Sequence, residues 1–169
     1  LFFVEIRTNQ QLGYVCGASY MPINRYPGLM LYVQSSVATP QEILTAIDNV
    51  LIEFRELIDD MDEMQWQRNC NGLKSQVNTR DTSARRQATR HWTSICNRDI
   101  DFSHRDRTLD AIDQLTPEIL LSFIEETLIN EQVDRLIMMT GDQPQPPHKA
   151  IDNIEEFKTQ TPVLFLTPD

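Results

Sequence analysis

The sequence predicts an α+β fold, a largely antiparallel sheet covered by several helices. Three observations carry that expectation. "YVCGASY" and "LMLYVQSS" flank the turn-rich "MPINRYPG", which reads as a β-hairpin with a long tip. Between Thr39 and Leu128, successive segments repeat apolar residues at spacings of three and four, as amphipathic helices do. "DRLIMMTG" then reads as a buried strand ended by Gly141.

Each element has a local reason. In "LFFVEIR", Phe2, Phe3 and Ile6 can share a helical face. Gly13 would suit the position just past the helix end, with Arg7 towards its C-terminal side. The first strand places Tyr14, Cys16, Ala18 and Tyr20 on one side and Val15, Gly17 and Ser19 on the other. "TPQE" announces the most secure helix: Thr39 caps, Pro40 takes the first helical position and Glu42 closes a capping box. Ile43, Ile47, Val50, Phe54, Leu57 and Met61 form its inner stripe. A second helix starts near Asp62, with Trp66, Cys70, Leu73 and Val77 on one face. A third starts near Ser83, with Ala84, Ala88, His91 and Ile95 inward and Trp92 beside them. Ser103 caps the next, which turns Leu109, Ile112 and Leu115 inward. Thr116, Pro117 and Glu118 then repeat the earlier start signal ahead of Ile119, Leu120, Phe123, Ile124 and Leu128. Residues 1–141 are thus expected to form most of one α+β domain. Residues 142–169 are expected to be a proline-rich linker ("DQPQPPH") and a C-terminal tail ("TPVLFLTP") that docks back on it.

Composition excludes some classes. With 15 Lys+Arg against 25 Asp+Glu, the chain has a formal net charge of -10, which disfavours a nucleic-acid partner. No apolar run approaches the roughly 20 residues that span a bilayer. Cys16, Cys70 and Cys96 form no CxxC or Cys/His cluster, so they read as buried or half-buried free thiols rather than zinc ligands. The chain opens without Met and inside an apolar element, which reads as a piece of a longer protein.

The chemistry available is narrow. There is no HExxH, HxxEH, GxSxG or phosphate-binding glycine loop. His91, His104 and His148 stand in different elements, and His91 reads as a core histidine. Carboxylate pairs such as Asp59–Asp60 and Glu125–Glu126 read as solvated helix faces, as does the basic run holding Arg86 and Arg90. "RTNQQLGY", Arg7 to Tyr14, is different, because it places a permanent guanidinium fork and a phenolic O–H donor near each other in sequence. Both can donate to carbonyl oxygens, and a donor aimed at a developing oxyanion is a recognised catalytic device. Spacing alone does not bring them together; a chain reversal must. On local grounds Arg7 can equally complement a helix C-terminus and Tyr14 begin a strand.

"IRTNQQLGYV" closely resembles the "LRT.EQLGY.V" signature in the C-terminal half of the insulinase/pitrilysin family of zinc metallopeptidases. "GLMLYVQSS" and "DFSHRDRTLDAIDQLTPEILLSF" are similar to later segments of the same half, and "NIEEFKTQTPVLF" to the end of bacterial pitrilysin (protease III). The resemblance spans nearly the whole chain. It implies a LuxS/insulinase-like metalloenzyme domain, the fourth of four related α+β domains in a longer zinc endopeptidase that hydrolyses short peptides. The partners it implies are the N-terminal catalytic half of the same polypeptide and peptide substrates. By that resemblance zinc would belong to the N-terminal half, and this chain would bind none and be inactive alone. The motif's Arg, here Arg7, would bind substrate backbone. Its Tyr, here Tyr14, would donate towards the nascent oxyanion in trans to the zinc half, while Gln11, Leu12 and Gly13 shape the turn. The family often has an acidic residue where this chain has Gln10. A bacterial periplasm is favoured, with the cytoplasm as alternative. A second reading is a non-catalytic binding or assembly module from a relative that has lost its zinc site.

Overall fold

Helix start signals, more than strand signals, organise the chain. In the computed structural model, residues 1–22, 27–96, 100, 102–130, 135–140, 151 and 153–160 are described. The chain begins with a wide π-helical segment, Val4–Asn9. It is followed by strands β1 (Val15–Tyr20) and β2 (Leu29–Gln34) and helices α1 (Pro40–Asp59), α2 (Glu63–Val77), α3 (Ala84–Cys96) and α4 (His104–Gln114). Helix α5 (Pro117–Ile124) runs directly into a second π-helical turn, Glu125–Ile129, and α6 (Ile154–Gln160) comes last. The class is α+β. Among the described residues the sheet is a two-stranded antiparallel hairpin, with Val15 opposite Gln34 and Tyr20 opposite Leu29.

Helix α1 is the spine. Thr39 accepts a bond from the Glu42 N–H at 3.3 Å, and the Thr39 N–H donates to the Glu42 carboxylate at 2.7 Å, so the capping box is complete. The N-terminal half of α1 turns Ala46 and Val50 onto Ile6 and Cys16, with Phe2, Leu12 and Val33 packed alongside. Its C-terminal half turns Ile58 onto Trp66 and Ile124, with Phe54, Met61 and Leu120 among the surrounding side chains. Leu57, expected inward, is 44% exposed, and Ile58 takes its place. Asp62 caps α2 by accepting from the Gln65 N–H at 2.8 Å, and Thr116 caps α5 by accepting from the Ile119 N–H at 3.3 Å. Ser103 stands ahead of α4 but makes no side-chain capping bond; its hydroxyl accepts from Arg107 instead.

Three expectations are corrected. Residues 135–140 form no strand: Leu136 and Met138 are largely exposed, and the segment is pinned through Arg135, which pairs with Asp48 and donates to the Leu128 carbonyl. A strand needs a paired edge, and the described sheet ends at β1 and β2. Helix α3 has the expected amphipathic pattern but buries no residue; Ala84, Ala88 and Ile95 are exposed, and His91 is half-buried edge-to-face against Phe102 at 5.2 Å. Cys96 is exposed, unlike Cys16 and Cys70. Gly141, the proline-rich stretch with His148, and the "TPVLFLTP" tail lie outside the described residues. Within 142–169, α6 is an addition to the sequence reading; the Asn153 side chain accepts from the Glu155 and Glu156 N–H groups at 3.0 and 3.2 Å.

Candidate functional site

The opening segment folds as it does because its turns are wider than an α-helix. The Gln10 N–H reaches back five residues to the Glu5 carbonyl at 2.9 Å, and the Leu12 N–H reaches back six to the Ile6 carbonyl at 2.9 Å. This widening buries Ile6 completely and leaves Arg7 half-buried. The chain then reverses at Gln11, which holds a left-handed φ of 54°. The sequence reading places glycine at the helix end for that purpose, but the left-handed residue is Gln11, not Gly13. Glycine at 13 answers a different need, because the turn is pressed against β2. A Cβ there would lie 2.7 Å from Val33 Cγ1 and 2.8 Å from the Gln34 carbonyl oxygen. Leu12 anchors the reversal by packing on the Ile6, Cys16, Ala46 and Val50 cluster.

The reversal brings Arg7 and Tyr14 together. The Arg7 guanidinium carbon lies 4.4 Å from the centre of the Tyr14 ring and 5.0 Å from that of Phe3. Contacts of this kind hold a guanidinium without a carboxylate acceptor. Arg7 pairs with no carboxylate among the described residues, whereas Arg55, Lys74, Arg90 and Arg135 each do. The nearest acid in sequence, Glu5, is held elsewhere: Asn9 donates to it at 2.6 Å and Gln10 at 2.9 Å. Those bonds, Gln10's first, pull the Glu5 carboxyl below its ordinary range. Gln10 is therefore engaged locally with Glu5.

Tyr14 is 77% exposed and lines a cleft of ≈ 340 Å³. Residues Gln11 to Val15 form one wall and Gln34 to Val37 the other. The recess is bordered by the Tyr14 side chain and by amide and hydroxyl groups, with the Arg7 cation reaching it only through its contact with the Tyr14 ring. It can bind carbonyl oxygens. It holds no nucleophile–base pair: His91 and His104 stand on α3 and α4, and Cys16 is buried under α1. Among the described residues no three His, Cys, Asp or Glu side chains form a group that could hold a metal ion. No described helix is long and apolar enough to cross a membrane. Sequence reasoning misses Phe3 and the Glu5–Asn9–Gln10 cluster. The available signal is spacing, since Phe3 and Arg7, and Glu5 and Asn9, are each four apart.

The family described as PQQ synthase PqqF-like, C-terminal lobe domain 4, matches residues 1–92. The A-factor-processing enzyme of Saccharomyces cerevisiae is 22% identical over 180 residues, covering 98% of this chain and 17% of its own. Human insulin-degrading enzyme is 24% identical over 126 residues, covering 75% of this chain and 12% of its own. This chain thus spans only a small part of either relative. The crystal structure of pitrilysin superposes with a TM-score of 0.69 at 20% identity, over 76% of this chain and 14% of that one, which is a likeness of fold.

Proposed function

As the chain belongs to the family of PqqF-like C-terminal lobe domains, a C-terminal domain of the insulinase/pitrilysin peptidases, we propose that it encloses peptide substrate in a longer zinc endopeptidase. Its own part is to hold the peptide and steady the developing charge. Arg7 grips backbone carbonyls through its N–H donors, and Tyr14 donates to the oxygen that becomes the oxyanion. Gln11, Leu12 and Gly13 keep the two in contact. Among the described residues no His, Cys, Asp or Glu group could hold a metal ion; one relative is named as a putative zinc protease, and the metal would sit on the N-terminal half. The compartment favoured is a bacterial periplasm, from the pitrilysin-like end of the sequence, with the cytoplasm as alternative; one plant relative is named as peroxisomal.

The single observation behind this reading is the Arg7–Tyr14 contact at 4.4 Å, with Tyr14 lining an open cleft and the cation unpaired among the described residues. The test uses the full-length protein. Tyr14→Phe should lower kcat, by about 2.7–4 kcal/mol of barrier as for other oxyanion donors, while Arg7→Ala should mainly raise KM for a peptide. Residues 1–169 alone should cleave nothing. An unchanged kcat in Tyr14→Phe, or peptide hydrolysis by the isolated chain, would sink the reading.

A further inference from the structure

Phe3 is an aromatic residue that the core does not explain. It is 48% exposed, and the cluster beside it takes in Phe2 and not Phe3. What Phe3 does touch is Arg7, whose guanidinium carbon lies 5.0 Å from its ring centre and 4.4 Å from that of Tyr14. An arginine side chain has many rotamers, and fixing it needs a partner. For three other arginines that partner is a carboxylate: Asp59 and Glu125 for Arg55, Asp81 for Arg90, Asp48 for Arg135. A carboxylate on Arg7 would occupy the N–H donors that a peptide carbonyl needs. Two aromatic rings beside the same cation can hold it without a carboxylate acceptor. Glu5, the local acid that could compete, is occupied by Asn9 and Gln10.

We propose that Phe3 is a positioning residue that acts through Arg7, flanking its guanidinium so that it is ordered yet, among the described residues, paired with no carboxylate before peptide arrives. The inference rests on the peptide-holding reading of Arg7. The test is steady-state kinetics of the full-length protein on an internally quenched peptide. Phe3→Leu should raise KM about two- to fivefold, the size of an exposed cation–π contact, with kcat little changed. Phe3→Tyr, which restores a ring, should return KM to the parent value, and Phe3→Leu added to Arg7→Ala should change nothing further. An unchanged KM in Phe3→Leu alongside a raised KM in Arg7→Ala overturns the proposal for Phe3 and leaves the reading of Arg7 standing. A Phe3→Tyr as impaired as Phe3→Leu also overturns it, as does a Phe3→Leu effect that persists in the Arg7→Ala background. If Arg7→Ala itself leaves KM and kcat unchanged, the peptide-holding reading falls and the proposal with it.

Discussion

The two ends of α1 are packed differently. Its C-terminal half meets large side chains from several helices: Ile58 closes on Trp66 of α2 and Ile124 of α5, with Leu115, Leu120, Leu121 and Leu128 around them. Its N-terminal half meets smaller groups, Ala46 and Val50 against Cys16 and Ile6. Beyond them the hairpin leaves Tyr14, Tyr20, Leu29 and Tyr32 substantially exposed. The first end is where folding energy is concentrated, and the second is a thinner platform that carries the candidate site. A site on the thin end can be altered without unfolding the helical end, and loss of the helical end should take the site with it.

Substitutions can break this comparison. Trp66→Ala should have the largest effect, about 3–5 kcal/mol of stability, read from urea unfolding. A cost below about 1 kcal/mol would remove the helical junction from its assigned role. Gly13→Ala comes next. Its methyl meets Val33 and the Gln34 carbonyl oxygen at under 3 Å, so about 1–3 kcal/mol of strain is expected. That strain falls on the turn itself, so peptide KM should change more than in a variant of equal stability cost at the helical end. Thr39→Ala should cost about 1 kcal/mol, measured the same way, because it removes a cap that serves both halves.

The smallest expected effect is in acid. The Glu42 carboxyl is held below its ordinary value of 4.5 by the Thr39 backbone N–H and then by the Thr39 hydroxyl, and Glu5 is lowered likewise by Gln10 and Asn9. A carboxyl lowered in the folded state stabilises fully above its unfolded value, and that contribution disappears as pH falls through the folded value. Stability should therefore be flat above about pH 5 and decline below the ordinary carboxylate range. Glu42→Gln should flatten part of that decline in a pH series of thermal melts. An unchanged acid limb would show that the box adds nothing.

What the sequence makes legible follows from the range of each cause. Caps are local, so Thr39 with Glu42 and Thr116 with Pro117 can be placed from the sequence, and the structure has them, whereas the cap expected at Ser103 is not made. The inner seam of α1 is legible to within one position. Residues advance about 100° apiece, so Leu57 and Ile58 both lie near it, and only Trp66 and Ile124 decide for Ile58. Helix α3 shows the limit of periodicity, since a stripe states that a face could be buried and not that anything covers it. At the site, Arg7 and Tyr14 can be named from the motif. Their contact cannot, because it depends on a left-handed glutamine and on bonds spanning five and six residues, neither of which composition signals.

The wide opening turn has a consequence for chain length. Because its bonds skip five or six residues, Val4–Asn9 accommodates more backbone than an ordinary helix would between the same two anchors, Ile6 in the core and Gly13 against β2. Removing one residue there would let the segment tighten, and would turn everything upstream of the cut by about 100° about the helix axis. Arg7 and Tyr14 would both be retained after such a deletion and yet point apart. For this motif, spacing is inherited information on the same footing as residue identity.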